Sequence, residues 1–369
     1  MSRFIPPRSD ELEVSIIGPG RGECVIVHLG ENEWCIVDSC IPRGQREPAA
    51  IEYLRSLQQE SLRRVRLVVA THWHDDHIRG LASLLQQTPN AQFACSQAVN
   101  TDQFKMLVGS AATSIQSGFG VDEFARIFRI LIERETAKRE KDLVAPKFAI
   151  ENRSLLELSG KGRSYPAAVR ALSPSDGTIR LAMADMASLI PRPGEIQRRI
   201  TNRAPNSTSV VLWVELGARR VLLGADLEHT GRLREGWMAV LSSHNDPNPA
   251  TLFKVPHHGS INADCSEVWA KMLVRDPIAV VTPFTSGKTL PTNSDFQRMR
   301  SRTSRLYCTS RGTGKPPARD AIVEKEMRRN ATERHVIDGP AGHVRIRWSA
   351  ADDSSEPTLE LFHGAYHVR

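Results

Sequence analysis

His72-Trp73-His74-Asp75-Asp76-His77 puts three imidazoles and a free carboxylate within one six-residue stretch, enough to hold one or two metal ions. The spacing reads H-x-H-x-D-H. The apolar run Arg64-Val65-Arg66-Leu67-Val68-Val69-Ala70 that precedes it has strand character, and Gly80-Leu81-Ala82-Ser83-Leu84-Leu85 after it reads as a helix start. The histidines therefore leave a buried strand and enter a loop that a rigid scaffold can position while leaving it open to substrate. The competing reading is a solvated loop with histidines by chance. With twelve histidines in the chain, that pattern arises by accident on the order of once in a thousand such sequences, and a metal site is the better reading.

Three other segments extend the pattern. Trp34-Cys35-Ile36-Val37-Asp38-Ser39-Cys40 is a short apolar strand ending in an aspartate. Val221-Leu222-Leu223-Gly224-Ala225-Asp226 is another, and Phe253-Lys254-Val255-Pro256-His257-His258-Gly259-Ser260 carries a histidine pair. In this order, and with H-x-H-x-D-H, they resemble the motifs of the metallo-β-lactamase-fold hydrolases over about residues 12 to 284. Adding Asn206-Ser207-Thr208-Ser209-Val210-Val211-Leu212, the pattern is most similar to the hydrolase domain of the competence DNA-uptake channel family. It is also similar to the bacterial phosphorylcholine esterases.

The resemblance implies an αββα sandwich, phosphoester or phosphodiester substrates and two divalent ions, Zn2+ or Mn2+. It implies His72 and His74 on the first ion, Asp76 and His77 on the second, and Asp226 as bridge. One of the histidine pair completes the second ion. Adjacent residues in extended backbone point opposite ways, and related esterases favour His258 as ligand with His257 aimed at the scissile phosphate as proton donor or charge stabiliser. Asp76 and His257 are thus the expected catalytic residues. Asp38 is expected to accept hydrogen bonds from a ligand histidine or the metal loop and so fix ring orientation. One departure stands out: no histidine occurs between residues 78 and 228, where the family supplies another. A non-histidine ligand or water would complete one ion, or that ion is held weakly, which leaves room for manganese.

Composition bounds the rest. The chain has 369 residues, 40% hydrophobic and 25% charged, typical of a water-soluble globular protein. No apolar stretch approaches the roughly 18 residues that span a bilayer, and Met1-Ser2-Arg3-Phe4-Ile5-Pro6-Pro7 lacks the apolar region of a secretory signal. Six cysteines without a C-x-x-C pair point to reduced thiols, and the expected compartment is the cytoplasm. Cys40 reads as a small buried residue rather than a ligand. The net charge of +7 is matched by one segment, residues 298–334, with eleven Lys or Arg against four acids. Such a stripe is either a polyanion footprint or a solvated loop. With Tyr307 its only aromatic, no base-stacking platform is evident.

The expected organisation is a single metallo-β-lactamase-like α/β domain over 1–369, with a helical insertion at about 100–200 and the basic segment after it. Gly18-Pro19-Gly20-Arg21-Gly22 separates two strand-like runs and opens no helix, so it reads as a hairpin that brings backbone close to the metal cleft. The stretch 100–200 shows little strand character. Within it, Phe124 and Phe128 fall at helical spacing and are expected in the core, as are Trp237 and Trp269 further on. Arg192, Arg198, Arg199 and Arg203 precede the Asn206 segment and are exposed arginines or phosphate binders. Val344–Trp348 and Thr358–Phe362 alternate like a closing hairpin. No serine triad or phosphate loop competes with the metal motif.

The functional expectation is a metal-dependent phosphodiesterase or nuclease with a nucleic acid or nucleotide partner. A hydrolase of a small ester, lactone or thioester is the alternative, because fold alone does not fix substrate. A non-catalytic, metal-stabilised interaction subunit is the third reading.

Overall fold

The computed structural model describes residues 4–20, 22–100, 119–137, 145–189, 205–284, 289–311, 326, 329, 341–351 and 355–369. Two eight-stranded sheets organise them. The first contains β1 (Glu11–Gly20), β2 (Gly22–Leu29), β3 (Trp34–Val37), β4 (Val65–Ala70), β5 (Gln92–Ser96) and β6 (Lys147–Ala149). The second contains β7 (Arg153–Leu158), β8 (Ala167–Ala171), β9 (Leu212–Leu216), β10 (Arg219–Leu223), β11 (Ala250–Lys254), β12 (Leu273–Val281) and β13 (Leu306–Cys308). The chain then returns to the first sheet with β14 (His343–Ser349) and β15 (Thr358–Phe362), and closes on the second with β16 (Tyr366–His367). Spatial order is β15-β14-β1-β2-β3-β4-β5-β6 in one and β16-β13-β12-β11-β10-β9-β8-β7 in the other.

Strand composition follows from this layering. In β2 every residue from Glu23 to Leu29 is buried, because both faces of the sheet are covered, so the run does not alternate. Val14, Val27, Val69, Val214, Val221, Ile278 and Ile346 belong to one apolar layer between the sheets. Outside the first sheet pack α1 (Ala49–Leu57), α2 (Asp75–Ile78), α3 (Leu81–Gln87) and α4 (Phe119–Ala137); α5 (Asp176–Leu189) follows β8. A second apolar layer beneath this face includes Trp34, Ile51, Leu84, Phe93 and Phe124, with Phe128 packed against it. Against the second sheet lie α6 (Gly236–Ser243), α7 (Ser266–Lys271) and α8 (Asn293–Arg300), over a third layer with Trp213, Trp237, Phe253 and Trp269. The architecture is an αββα sandwich. Truncating one large aliphatic side chain in such layers costs about 2–5 kcal/mol, so packing between the sheets sets how the two halves of the edge described below face each other.

The stretch 100–200 is more than a helical insertion. It supplies α4 and α5, and also β6, β7 and β8, against the reading that it carries little strand character. The reason is compositional: β8 is Ala-Ala-Val-Arg-Ala, with one β-branched residue, and it is a strand because β7 and β9 flank it with paired backbone. Arg192, Arg198, Arg199 and Arg203 lie outside the described residues. The closing hairpin β14–β15 pairs antiparallel, Val344 opposite Leu361. The six cysteines are free and buried. No helix among the described residues is long and apolar enough to cross a membrane.

Parallel pairing fixes where chemistry can occur. β3, β4 and β5 run parallel in one sheet, and β10, β11 and β12 in the other. Their carboxyl ends open on one edge of the sandwich, the usual place for a site in parallel sheets.

Candidate metal centre

At that edge the strand-end segments of both sheets deliver the polar motifs. β3 is followed by Asp38, β4 by Thr71-His72, β10 after Gly224 by Ala225-Asp226, and β11 after Val255 by Pro256-His257-His258. Asp38, Ala225, His257 and His258 all have positive φ, at 59°, 44°, 46° and 53°. Non-glycine residues hold such conformations only where surrounding structure enforces them, and they cluster at functional sites. His74 caps α2, whose single turn carries Asp75, Asp76 and His77. Glu123 of α4 accepts hydrogen bonds from the backbone N–H of Gly80 and Ala82 at 3.1 and 2.9 Å, so the insertion helix holds the chain just after the motif.

The orientation of each ring is set from behind. His77 Nδ1 donates to Asp38 Oδ2 at 2.7 Å. The Thr71 hydroxyl also donates to that oxygen, at 2.7 Å, while Thr71 N–H donates to Oδ1 at 2.8 Å. With its proton committed to Asp38, Thr71 Oγ1 accepts from His72 Nδ1 at 2.9 Å. His258 Nδ1 donates to the Thr282 carbonyl at 2.9 Å. Three imidazoles thus spend Nδ1–H on a fixed acceptor and turn Nε2 inward, as metal-ligating histidines do. Asp38 thus accepts from both His77 and Thr71.

Nε2 of His72 and Nδ1 of His74 approach to 3.0 Å, and Asp226 Oδ2 lies 3.9 Å from His72 Nε2. Asp226 Oδ1 is 3.4 Å from His77 Nε2, and its Oδ2 is 3.9 Å from His258 Nε2. Asp76 Oδ2 lies 3.3 Å from His258 Nε2 and 3.8 Å from His77 Nε2. The side chains fall into His72/His74/Asp226 and Asp76/His77/His258, each with ligand atoms within 4.8 Å of one another. His77 Nε2 and Asp226 Oδ1 are buried and face each other at 3.4 Å, with no hydrogen bond to any other group among the described residues. Imidazole nitrogens and carboxylate oxygens gathered in this way fit a divalent metal.

Electrostatics sort the histidines. Burial and the neighbouring His77 and His74 push His72 well below the ordinary imidazole range, and burial also lowers His74. These rings stay neutral, the form that binds metal. Burial alone would lower His77, but Asp226, Asp76 and Asp38 outweigh it and hold it well above that range. His258 is raised the same way, burial being outweighed by Asp226, Asp76 and Glu23. Burial would raise Asp226, yet His77 and His258 hold its carboxyl well below the usual carboxylate range. Unlike Asp76, Asp75 is exposed, as its place off the motif implies.

The histidine pair requires a correction. His257 and His258 are not in extended backbone but in a tight turn with left-handed φ, so alternation is not what separates them. The turn sends His258 to the centre, where Phe284 stacks on it at 5.2 Å, and His257 to the rim. There His257 Nε2 lies 3.2 Å from Asn206 Nδ2, and His257 Nδ1 lies 3.5 Å from Glu228 Oε1. Glu228 Oε1 also accepts from Asn206 and Asn262 at 3.1 and 3.0 Å. Glu228 and Asn262 carried no signal in the sequence. Cys40 lies in the apolar layer and in neither ligand group.

Residues 17–114 match the profile of the Metallo-beta-lactamase superfamily, a span that holds Asp38, His72, His74, Asp76 and His77 and stops short of Asp226 and His258. No curated protein matches the chain in sequence. Among solved structures, the chain is similar to a variant of the CmlA beta-hydroxylase, at 15% identity and TM-score 0.35, covering 81% of this chain and 41% of that one. It is similar to human tRNase Z, short form, at 11% identity and TM-score 0.36, covering 80% and 90%. Zn2+-bound PqqB from Methylobacterium extorquens gives 13% identity and TM-score 0.26, covering 54% and 51%. The chain thus spans 41% and 51% of the first and third of these proteins.

Proposed function

We propose that this chain is a metal-dependent hydrolase of phosphodiesters. The observation that carries the reading is a pair of ligand groups, His72/His74/Asp226 and Asp76/His77/His258, with Asp226 reaching rings of both. Two divalent ions held there would supply a water of lowered pKa and a clamp for the attacking and leaving oxygens of a phosphate.

The protein's own groups account for the rest. His72, His74 and Asp226 would hold the first ion, and Asp76, His77 and His258 the second, Asp226 lying within reach of His77 and His258 as well. Asp38 and the Thr282 carbonyl keep the His77 and His258 rings from rotating. Beside the centre, His257 is held between Asn206 and Glu228, where it can pass a proton to the leaving oxygen or stabilise charge on the phosphate. Phosphodiesters rather than β-lactams are favoured by the sequence likeness around Asn206, Asp226 and His257-His258.

The test is hydrolysis of bis-p-nitrophenyl phosphate, single-stranded DNA, RNA and a cyclic nucleotide by protein loaded with Mn2+ or Zn2+. Turnover is expected with either ion, and His257→Ala should lower it by about 100-fold or more, within the usual range for a general acid, at unchanged metal content. Metal-loaded protein that cleaves a lactone or thioester but no phosphodiester would establish the small-ester activity instead. Tight partner binding with no turnover on any of these would establish a non-catalytic role.

The basic segment supports a polyanionic substrate in part. Of its described cations, Arg298 is engaged by Asp295, Asp264 and the Gly259 carbonyl, and Arg305 by Glu356. Arg300 and Arg302 are exposed. The cations at 315, 319, 325, 328 and 334 lie outside the described residues. We expect the double substitution Arg300→Ala/Arg302→Ala to reduce the salt dependence of single-stranded DNA binding by about 1–2 units of slope, leaving bis-p-nitrophenyl phosphate hydrolysis unchanged. An unaltered slope would assign these arginines to a solvated surface.

A further inference from the structure

Glu23 lies on β2 and is 3% exposed. Gly22 before it has φ +127°, and a Cβ there would stand 2.1 Å from the Asp76 carbonyl oxygen and 2.7 Å from that of Ser39. Only glycine lets this strand press on the metal loop, and the next side chain enters beneath the centre. A carboxylate so deep must be paired. Glu23 Oε1 is paired with the ammonium of Lys254 on β11, which is 1% exposed.

Glu23 Oε2 has no such partner among the described residues. It lies 3.8 Å from His258 Nδ1, but that N–H is committed to Thr282 at 2.9 Å. Ligand atoms of Glu23, His77 and Asp226 lie within 4.8 Å of one another. Glu23 Oε2 is buried without a hydrogen-bond partner among the described residues, and His77 Nε2 and Asp226 Oδ1, 3.4 Å apart, have none beyond each other. A mere counter-ion for Lys254 gains nothing by setting a second carboxylate beside Asp226, since like charges at that spacing repel. A cation between them converts the repulsion into coordination.

We propose that Glu23 is a further ligand to the second metal ion, an inference that rests on the metal-centre reading above. The second site then draws on three carboxylates, Glu23, Asp76 and Asp226, and two imidazoles, His77 and His258. The first has two imidazoles and one carboxylate in its group. An oxygen-rich set favours Mn2+ relative to Zn2+, and an imidazole-rich set favours Zn2+. The two positions are therefore chemically unequal, with the harder ion preferred at the Glu23 end.

Calorimetric titration of chelator-treated full-length protein with Mn2+ alone and with Zn2+ alone tests this, read beside the melting temperature of each metal-free variant. Wild type should bind two ions. Glu23→Gln keeps an oxygen for Lys254 but removes the charge, and should weaken one of the two sites at least about tenfold, more for Mn2+ than for Zn2+. Because it also leaves Lys254 less compensated, Glu23→Gln/Lys254→Met removes both charges; it should melt near wild type when metal-free and show the same metal defect. Normal affinity at both sites in the double variant would overturn the proposal and leave Glu23 as the partner of Lys254. An equal loss for Mn2+ and Zn2+ would also overturn it, marking Glu23 as a support behind His258. Wild-type protein that binds neither ion would instead overturn the metal-centre reading itself.

Discussion

Asp226→Ala is expected to lower affinity for divalent metal by more than about 100-fold, the upper end of what loss of an outer-sphere partner costs, and to abolish measurable turnover. The reason is position. Its oxygens lie 3.9 Å from His72 Nε2, 3.4 Å from His77 Nε2 and 3.9 Å from His258 Nε2, so one carboxylate serves both ligand groups. No other carboxylate among the described residues belongs to the His72/His74 group. Alanine leaves that group with two imidazoles and removes the carboxylate oxygen that lies 3.4 Å from His77 Nε2 of the other. Asp75→Ala is the control: that side chain is one residue from Asp76 yet exposed, and its loss should leave metal content unchanged. Metal analysis after dialysis reads both variants. Two retained equivalents in Asp226→Ala would remove the bridging role, and equal losses in both would mean that loop disruption, not ligation, is being measured.

The candidate centre was legible where its residues are close together in sequence. His72, His74, Asp76 and His77 occupy six residues after one strand, and Asp38, Asp226 and His258 each follow an apolar run, a pattern periodicity and spacing expose directly. Glu23 and Lys254 were illegible for the opposite reason. Each is a lone charge at the end of an apolar strand, where solvent exposure is the natural reading, and the two are 231 residues apart. Only the stacking of β2 against β11 makes them buried partners. Glu228 and Asn262 lie in loops whose sequence carries no period, and they meet only through tertiary contact, Asn262 Nδ2 donating to Glu228 Oε1 at 3.0 Å. The strand β8 went unread because alanine has weak strand preference and the neighbouring strands impose the conformation.

Acid should destabilise the metal-free protein steeply between pH 6.5 and 4, through the depressed His72 and His74 of the centre and His244 and through two histidines remote from the centre. Burial, with Arg345 and then His363 and Arg347 adding to it, pushes His343 down to about 3. Its ring is packed among Phe4, Tyr53 and Phe362. Burial likewise takes His28 to about 4; its Nε2 accepts the Asn32 N–H at 3.0 Å and must stay unprotonated to do so. Both folded values lie below the unfolded 6.5, so this stability is fully present above pH 6.5 and is lost as pH falls towards 4 and 3. Each group contributes a slope of up to about 1.4 kcal/mol per pH unit, and two units of acidification cost about 5 kcal/mol, comparable with the whole stability of many domains. His77 and His258 are raised and act in the opposite sense, contributing below pH 6.5 and losing it as pH rises. Asp76 and Asp226 are depressed and titrate below this window. His343→Phe fills the same aromatic pocket without a titrating nitrogen and should remove that group's share of the acid slope, roughly 2–3 kcal/mol between pH 6.5 and 4.5. Urea unfolding at several pH values, with chelator present so that metal release adds nothing, measures it. An acid slope identical to wild type would show that His343 is protonated in the folded state at these pH values and that the acid sensitivity lies elsewhere.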